Sequence, residues 1–267
     1  MVFNFFFYIY KNKKKKNNGM KFSIITATYN NQNTIGDTIN SLASQTYENI
    51  EHIIIDGAST DNTLSAIKKT GKKVSKIISE PDKGIYDALN KGIKNATGTF
   101  IVFLHADDIF SDNTIIEKAA KLLTESKTES LYGDLQYVAK ENTDKIIRYW
   151  KSGNFTYSKL KKGWMPPHPT FFVKKEIYDK YGLFDTNFKI AADYDIILRF
   201  LGKYKISTTY LPEVMIKMRI GGKSNKNIKN IILKMKEDLK ALKTNNIGGF
   251  HTLIMKNIIK IPQLLIK

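Results

Sequence analysis

Four apolar runs, each closed by a polar or acidic residue and followed by a helical segment, constrain this chain more than any other feature. They read "KFSIITATYN" at 21–30, "NIEHIIIDG" at 49–57, "SKIISE" at 75–80 and "GTFIVFLHADD" at 98–108. Between them, Thr34–Ser44 carries Ile35, Ile39 and Leu42 at helical spacing, "STDNT" opens a helix to Thr70, and Ile85–Asn95 follows the turn "PDKG". Near-continuous apolar strands alternating with helices predict a mostly parallel sheet covered on both faces. Ligands of such sheets bind just beyond the carboxyl ends of the strands. Those ends are Thr28-Tyr29-Asn30, Asp56-Gly57, Glu80-Pro81-Asp82 and Asp107-Asp108, so three of the four carry aspartate. The chemistry is expected on that rim.

After Leu131 the pattern changes. "SLYGDLQYVAK" and "KIIRYW" read as a hairpin added to the sheet, and Asp112 as the cap of a helix to Thr124. A proline-stiffened loop, "WMPPHP", leads to a short strand and a helix. "IAADYDIILRFLGKY" reads as a helix opened by an acidic cluster, and "ISTTYLPEVMIKMRIGG" as a strand. From Lys223 on, the chain reads as helical and basic. This divides it into an extension (1–19), a body (20–222, with halves 20–110 and 111–222) and a basic amphipathic helical tail (223–267).

A formal charge of +18 suggests nucleic acid until it is located. Residues 1–19 contribute +5 and residues 217–267 contribute +10, leaving +3 for the body between them. A basic tail interleaved with apolar residues suits an anionic membrane surface, and no nucleic acid is expected. The apolar run near the amino end is too short to span a bilayer and precedes its lysines, the reverse of a secretory signal. It reads as a membrane-touching tag, a disordered extension, or translation from upstream of a true start at Met20. There is no cysteine, which removes disulfides and thiolate metal sites and fits a reducing cytoplasm.

The rim residues admit bland readings and chemical ones. Asp56 ends strand two where a dinucleotide fold keeps its ribose acid, yet "TYNNQNTIG" lacks the glycine-rich turn such a fold needs. Asp56 is either a turn-former before glycine or an acceptor for a nucleotide base or ribose. Asp107 and Asp108 repel each other, and with no thiolates or clustered histidines nearby they suit a hard cation, Mg²⁺ or Mn²⁺, that also binds substrate phosphates. Alone, the pair reads as a turn and a cap.

The blocks "IITATYNNQNTI", "IIIDGASTDNT", "SEPDKGIYDALNKGIKNATGTFIVFLHADD" and "HPTFFVKKEIYDKYGLFDTNFKIAADYDIILR" together resemble family 2 glycosyltransferases of the GT-A fold, especially bacterial enzymes of surface-polysaccharide synthesis. The resemblance covers residues 20–222, in the family's order, with a "GG-S" at Gly221-Gly222-Lys223-Ser224. It implies a GT-A, nucleotide-diphospho-sugar transferase fold of α/β class. It also implies that Thr28, Asn30, Asp56, Asp82 and Asp107 bind the nucleotide sugar and that Asp108 holds the metal. Asp193 in "AADYD" resembles the family's base, although Ala192 stands where glutamate is frequent; its bland reading is an N-cap. Asp195 and His168 are further candidates for acceptor or phosphate contact, and His168 reads equally as loop packing. His105 stands where the family commonly has Asp or Asn and is assigned no chemistry.

The expectation is an inverting transferase moving a sugar, most plausibly from a UDP-sugar, to a glycan or lipid-linked glycan at the cytoplasmic membrane face. A sugar nucleotidyltransferase would need a glycine-rich basic loop after strand one, which is missing. A basic membrane- or nucleic-acid-binding module is opposed by the near-neutral body.

Overall fold

The computed structural model describes residues 19–71, 73–221 and 228–259. The expectations for the amino-terminal extension and for the last three residues of "GG-S" lie outside these residues. The first half follows the reading closely: β1 (Phe22–Thr28), α1 (Ile35–Ala43), β2 (Ile50–Asp56), α2 (Thr63–Thr70), β3 (Lys76–Ser79), α3 (Ile85–Asn95) and β4 (Phe100–Phe103). All seven β1 side chains are buried because the sheet is covered on both faces. Phe22 and Ile24 enter one core with Phe100 and Val102, while Ile25 and Ala27 enter the other with Leu89 and Ile93. Gly92 lets α3 lie directly on β1, since a Cβ there would stand 2.3 Å from Ile25 Cγ2.

β1, β2, β3 and β4 pair in parallel in the order β3-β2-β1-β4, with Thr28, Asp56 and Ser79 level at the rim. Beyond β4 the sheet is mixed. It continues through β8 (Phe172–Lys174), β6 (Ser130–Val138), β9 (Thr208–Arg219) and the two-residue β5 (Ile109–Phe110), while β7 (Ile146–Trp150) pairs with β6 as the expected hairpin. Strand four ends earlier than the apolar run suggests. Leu104 N still donates to Ile25 O, but His105–Asp108 then turn out of the sheet, closed by Asp108 N on His105 O at 3.0 Å. The following helix, α4 (Ile115–Ser126), has Thr114 at its N-cap; Asp112 instead accepts the Thr114 N–H at 2.8 Å.

The remaining helices are α5 (Tyr157–Lys161), α6 (Lys175–Tyr181), α7 (Ala192–Ile197), α8 (Ile228–Thr244) and α9 (Phe250–Ile258). α7 runs on into a π-helical turn, Leu198–Lys203. Ala241 and Leu242 of α8, Ile247, and Leu253 of α9 join the same core as Ile25 and Phe103. The boundary drawn at residue 222 is therefore one of charge and not of packing.

Candidate active site

Two loops hold the residues expected on the nucleotide side. Asn30 adopts a left-handed conformation (φ 54°), and its Oδ1 accepts the Thr60 N–H at 2.9 Å, tying the loop after β1 to the loop after β2. Thr28 is nearly buried and accepts from Asn31 Nδ2. Asp56 is fully buried and accepts from the Ser59 N–H (3.1 Å), the Ser59 hydroxyl and the Ser79 hydroxyl (2.6 Å). A carboxylate has about four acceptor positions, so Asp56 keeps capacity for one more donor while locking the ends of β2 and β3 together. Next to it, Gly57 leaves room for Asp82, whose Oδ2 would lie 3.1 Å from any Cβ placed there. Asp82 is ion-paired to Lys91 at 2.6 Å. Lys91 also meets Glu80 at 2.8 Å, and these bonds, Asp82 first, raise its pKa.

The Asp107-Asp108 turn is pinned by its carbonyls. Thr34 donates to Ala106 O (2.9 Å), Arg219 to Asp107 O (2.8 Å) and Thr38 to Asp108 O (2.8 Å). Arg219 is 7% exposed and also binds Lys140 O (3.0 Å) and Asp37 (2.6 Å), so its whole fork is engaged. With the backbone fixed, the two side chains part. Asp108 is wholly buried and neither carboxylate oxygen has a hydrogen-bond partner; burial, and then the Asp107 charge, push its carboxyl well above the usual range. Asp107 is half-buried and accepts no hydrogen bond from the described residues. The pair thus differs in access: Asp107 is the more open carboxylate, while Asp108, expected to hold the metal, is buried with both oxygens unpartnered.

Across from this turn lies α7. Ala191 is its N-cap, so Asp193 sits in the first turn and does not cap the helix; one of its oxygens accepts the Tyr194 N–H at 2.8 Å. Asp195 departs from expectation. It is buried, accepts from Asn245, just past the end of α8, at 2.8 Å and faces Arg199 at 3.4 Å, with burial raising its pKa. Two residues along a helix turn it away from the direction of Asp193, into the core instead of toward an acceptor. His168 is buried in a short 3₁₀ turn and stacks on Phe103 with centroids 5.2 Å apart. Burial holds its imidazole at about 4, and its Nε2 has no partner.

His105 joins these parts. Its ring lies 6.3 Å from that of His168. Burial lowers its pKa, while the charges of Asp107 and then Asp193 pull it upward, so the imidazole lies in the field of both carboxylates. Tyr137 on β6 likewise feels Asp108 and Asp193, with Arg148 4.9 Å from its ring centroid. Sequence reasoning assigned nothing to His105, Tyr137 or Arg219. A compositional signal existed: only three of the 43 basic residues are arginine, and each reaches an aromatic face, a carbonyl or a carboxylate inside the protein.

Among the described residues no three His, Cys, Asp or Glu side chains form a closed metal site. A hard cation that shares its coordination with substrate phosphates and water needs only one or two carboxylates. The open Asp107, backed by the orphaned Asp108, fits such an ion.

A parallel sheet with an aspartate rim, continued by a mixed extension and covered by helices, is the GT-A architecture. The chain belongs to glycosyl transferase family 2, whose family model matches residues 23–182. It is 29% identical over 218 residues to a PGL/p-HBAD biosynthesis glycosyltransferase of Mycobacterium bovis, covering 80% of this chain and 82% of that one. It is 32% identical over 180 residues to an uncharacterized glycosyltransferase of Mycobacterium tuberculosis, covering 66% and 67%. Among solved structures it resembles S. aureus TarS 1–349 in complex with UDP-GlcNAc (TM-score 0.67, 19% identity, 85% of this chain and 65% of that one). A second likeness is the mannosyltransferase PcManGT of Pyrobaculum calidifontis with GDP-Man and Mn²⁺ (TM-score 0.63, 17% identity, 92% and 73%). The chain spans 40% of the longer TarS structure. No described helix is long and apolar enough to cross a membrane.

Proposed function

We propose that this protein is an inverting glycosyltransferase that uses a nucleotide-diphosphate sugar, with a UDP-sugar the favoured donor. The observation that carries the reading is His105, which feels both Asp107 at the strand end and Asp193 on α7. These two carboxylates, both of which act on the one imidazole, have separate roles. Thr28, Asn30, Asp56 and Asp82 line the nucleotide side, and Asp107 meets the diphosphate end. Mg²⁺ or Mn²⁺ held by Asp107 would neutralise charge on the departing diphosphate. Asp108, expected to hold that metal, is buried with both oxygens unpartnered, which supports Asp107 as the direct contact with Asp108 as its companion carboxylate.

Asp193 takes the proton of an acceptor hydroxyl as that oxygen attacks the anomeric carbon. The bond from that carbon to the diphosphate oxygen breaks in the same step, inverting the centre. The acceptor is a glycan or lipid-linked glycan of cell-surface polysaccharide synthesis, a reading supported by the sequence resemblance. The test is a screen of UDP-, GDP- and dTDP-sugars with and without Mn²⁺, with NMR assignment of the product's anomeric configuration. An inverted product and metal-dependent release of UDP are expected; a retained configuration or metal-independent turnover overturns the mechanism.

We also propose that the protein is peripheral at the cytoplasmic membrane face. Ile228, Ile231, Ile232 and Met235 of α8 and Phe250 and Ile254 of α9 are exposed. The two acids of these helices, Glu237 and Asp238, are both buried, so Lys229, Lys236, Lys240 and Lys243 dominate their outer charge. Each lysine near an anionic surface contributes about 1 kcal/mol. Sedimentation with phosphatidylglycerol vesicles, but not with phosphatidylcholine vesicles, is expected. Unchanged sedimentation after combined Ile228→Ser, Ile232→Ser and Met235→Ser substitutions would sink this placement.

A further inference from the structure

Helix α8 reaches the segment that carries Asp193 through one carboxylate. Glu237 is 7% exposed, and its two oxygens accept three consecutive backbone N–H groups: Lys189 at 2.8 Å, Ile190 at 2.9 Å and Ala191 at 2.9 Å. These residues lead directly into α7, whose N-cap Ala191 offers no side chain of its own. N–H groups at a helix start lack intrahelical partners, and a carboxylate is a strong acceptor for them. From the opposite side, the Tyr86 hydroxyl of α3 donates to Ile190 O at 2.6 Å. One turn further along, Asn245, in the turn that follows α8, holds Asp195, and Lys256 of α9 lies 3.2 Å from the Tyr194 ring centroid while pairing with Asp238 at 2.8 Å. The residues on either side of Asp193 are therefore anchored to the carboxyl-terminal helices, whereas the opposing carboxylate, Asp107, is anchored by Arg219 and α1.

We propose that Glu237 is a positioning residue for sugar transfer, setting the direction in which the first turn of α7 presents Asp193 to the acceptor hydroxyl. This rests on Asp193 being the base. The carboxylate touches neither donor nor acceptor and acts through the backbone of 189–191. Glutamine at 237 has the same shape but brings an NH₂ group against N–H donors, so the three bonds cannot all survive.

The test compares full-length wild type, Glu237→Gln, Leu242→Ala and Asp193→Asn, using the donor that turns over fastest in the nucleotide-sugar screen. Leu242, fully buried on the same helix, provides a general loss of stability without removing a hydrogen bond to residues 189–191. For Glu237→Gln, kcat is expected to fall about tenfold or more. Donor KM and UDP affinity should stay within about twofold of wild type, and amide hydrogen exchange at 190–194 should accelerate. Leu242→Ala is expected to lower Tm as much or more while keeping kcat within about threefold. A Glu237→Gln enzyme with wild-type kcat, or a kcat that follows Tm equally in both variants, overturns the inference. If Asp193→Asn is inactive in that case, the base assignment stands and only the positioning role is lost. If Asp193→Asn is fully active, the base reading fails and this inference falls with it.

Discussion

Acid should destabilise this protein through histidines it buries uncharged, and His52 gives the cleanest measure. His52 lies on β2, 3% exposed, with Nε2 3.0 Å from the Thr26 hydroxyl. Burial holds its imidazole at about 4, against 6.5 in the unfolded chain. The folded value is the lower one, so between pH 6.5 and 4 the unfolded chain binds the extra proton and stability falls as pH falls. The full difference corresponds to about 3 kcal/mol at 1.36 kcal/mol per pH unit, and about 2 kcal/mol of it is already lost at pH 5. His168, also held at about 4, acts in the same direction, while Asp108 and Asp195, raised by burial, act in the opposite one. The informative quantity is therefore a difference between variants. His52→Gln keeps a hydrogen-bonding group near Thr26 but does not titrate. Urea unfolding at pH 7.5, 6.0 and 5.0 should show wild type losing about 2 kcal/mol more than His52→Gln between the extremes. Parallel losses in the two proteins would refute the claim that His52 is a buried neutral base.

Two other outcomes follow from single contacts. Gly163→Ala combines a left-handed backbone (φ 82°) with a Cβ 2.4 Å from Lys256 N of α9, so a loss of about 2–4 kcal/mol is expected in thermal unfolding; an unchanged Tm would mean that α9 is not seated there. Arg219→Met frees Asp107 O and Asp37, and calorimetry should show UDP–Mn²⁺ binding weakened about tenfold, whereas equal affinity would detach the aspartate turn from this arginine.

The amino-terminal half was legible because β1 and β2 are buried on both faces, which compels near-continuous apolar runs, and because α3 has a turn before it and a clear apolar stripe. The aspartate rim followed from the strand ends alone. Other features left little local trace. β5 is two residues long and exists only by pairing with β9, and the turn after Leu104 looks in sequence like more strand. Asp193 and Asp195 are indistinguishable by residue type, and only Asn245, fifty residues away, shows which one faces inward. The carboxyl-terminal segment misled for a related reason. Charge counting treats every ionisable group as exposed, yet Glu237, Asp238 and Lys256 are all buried, and they attach these helices to α7. Deleting the segment would therefore remove core together with surface, and point substitutions are the sounder probe of membrane contact.

The central claim, that Asp193 activates the acceptor opposite the Asp107 rim, is tested most directly by single-turnover sugar transfer in Asp193→Asn with UDP affinity measured on the same sample. The expected result is a rate about 10²–10⁴-fold below wild type with nucleotide affinity unchanged. Transfer at the wild-type rate would contradict it.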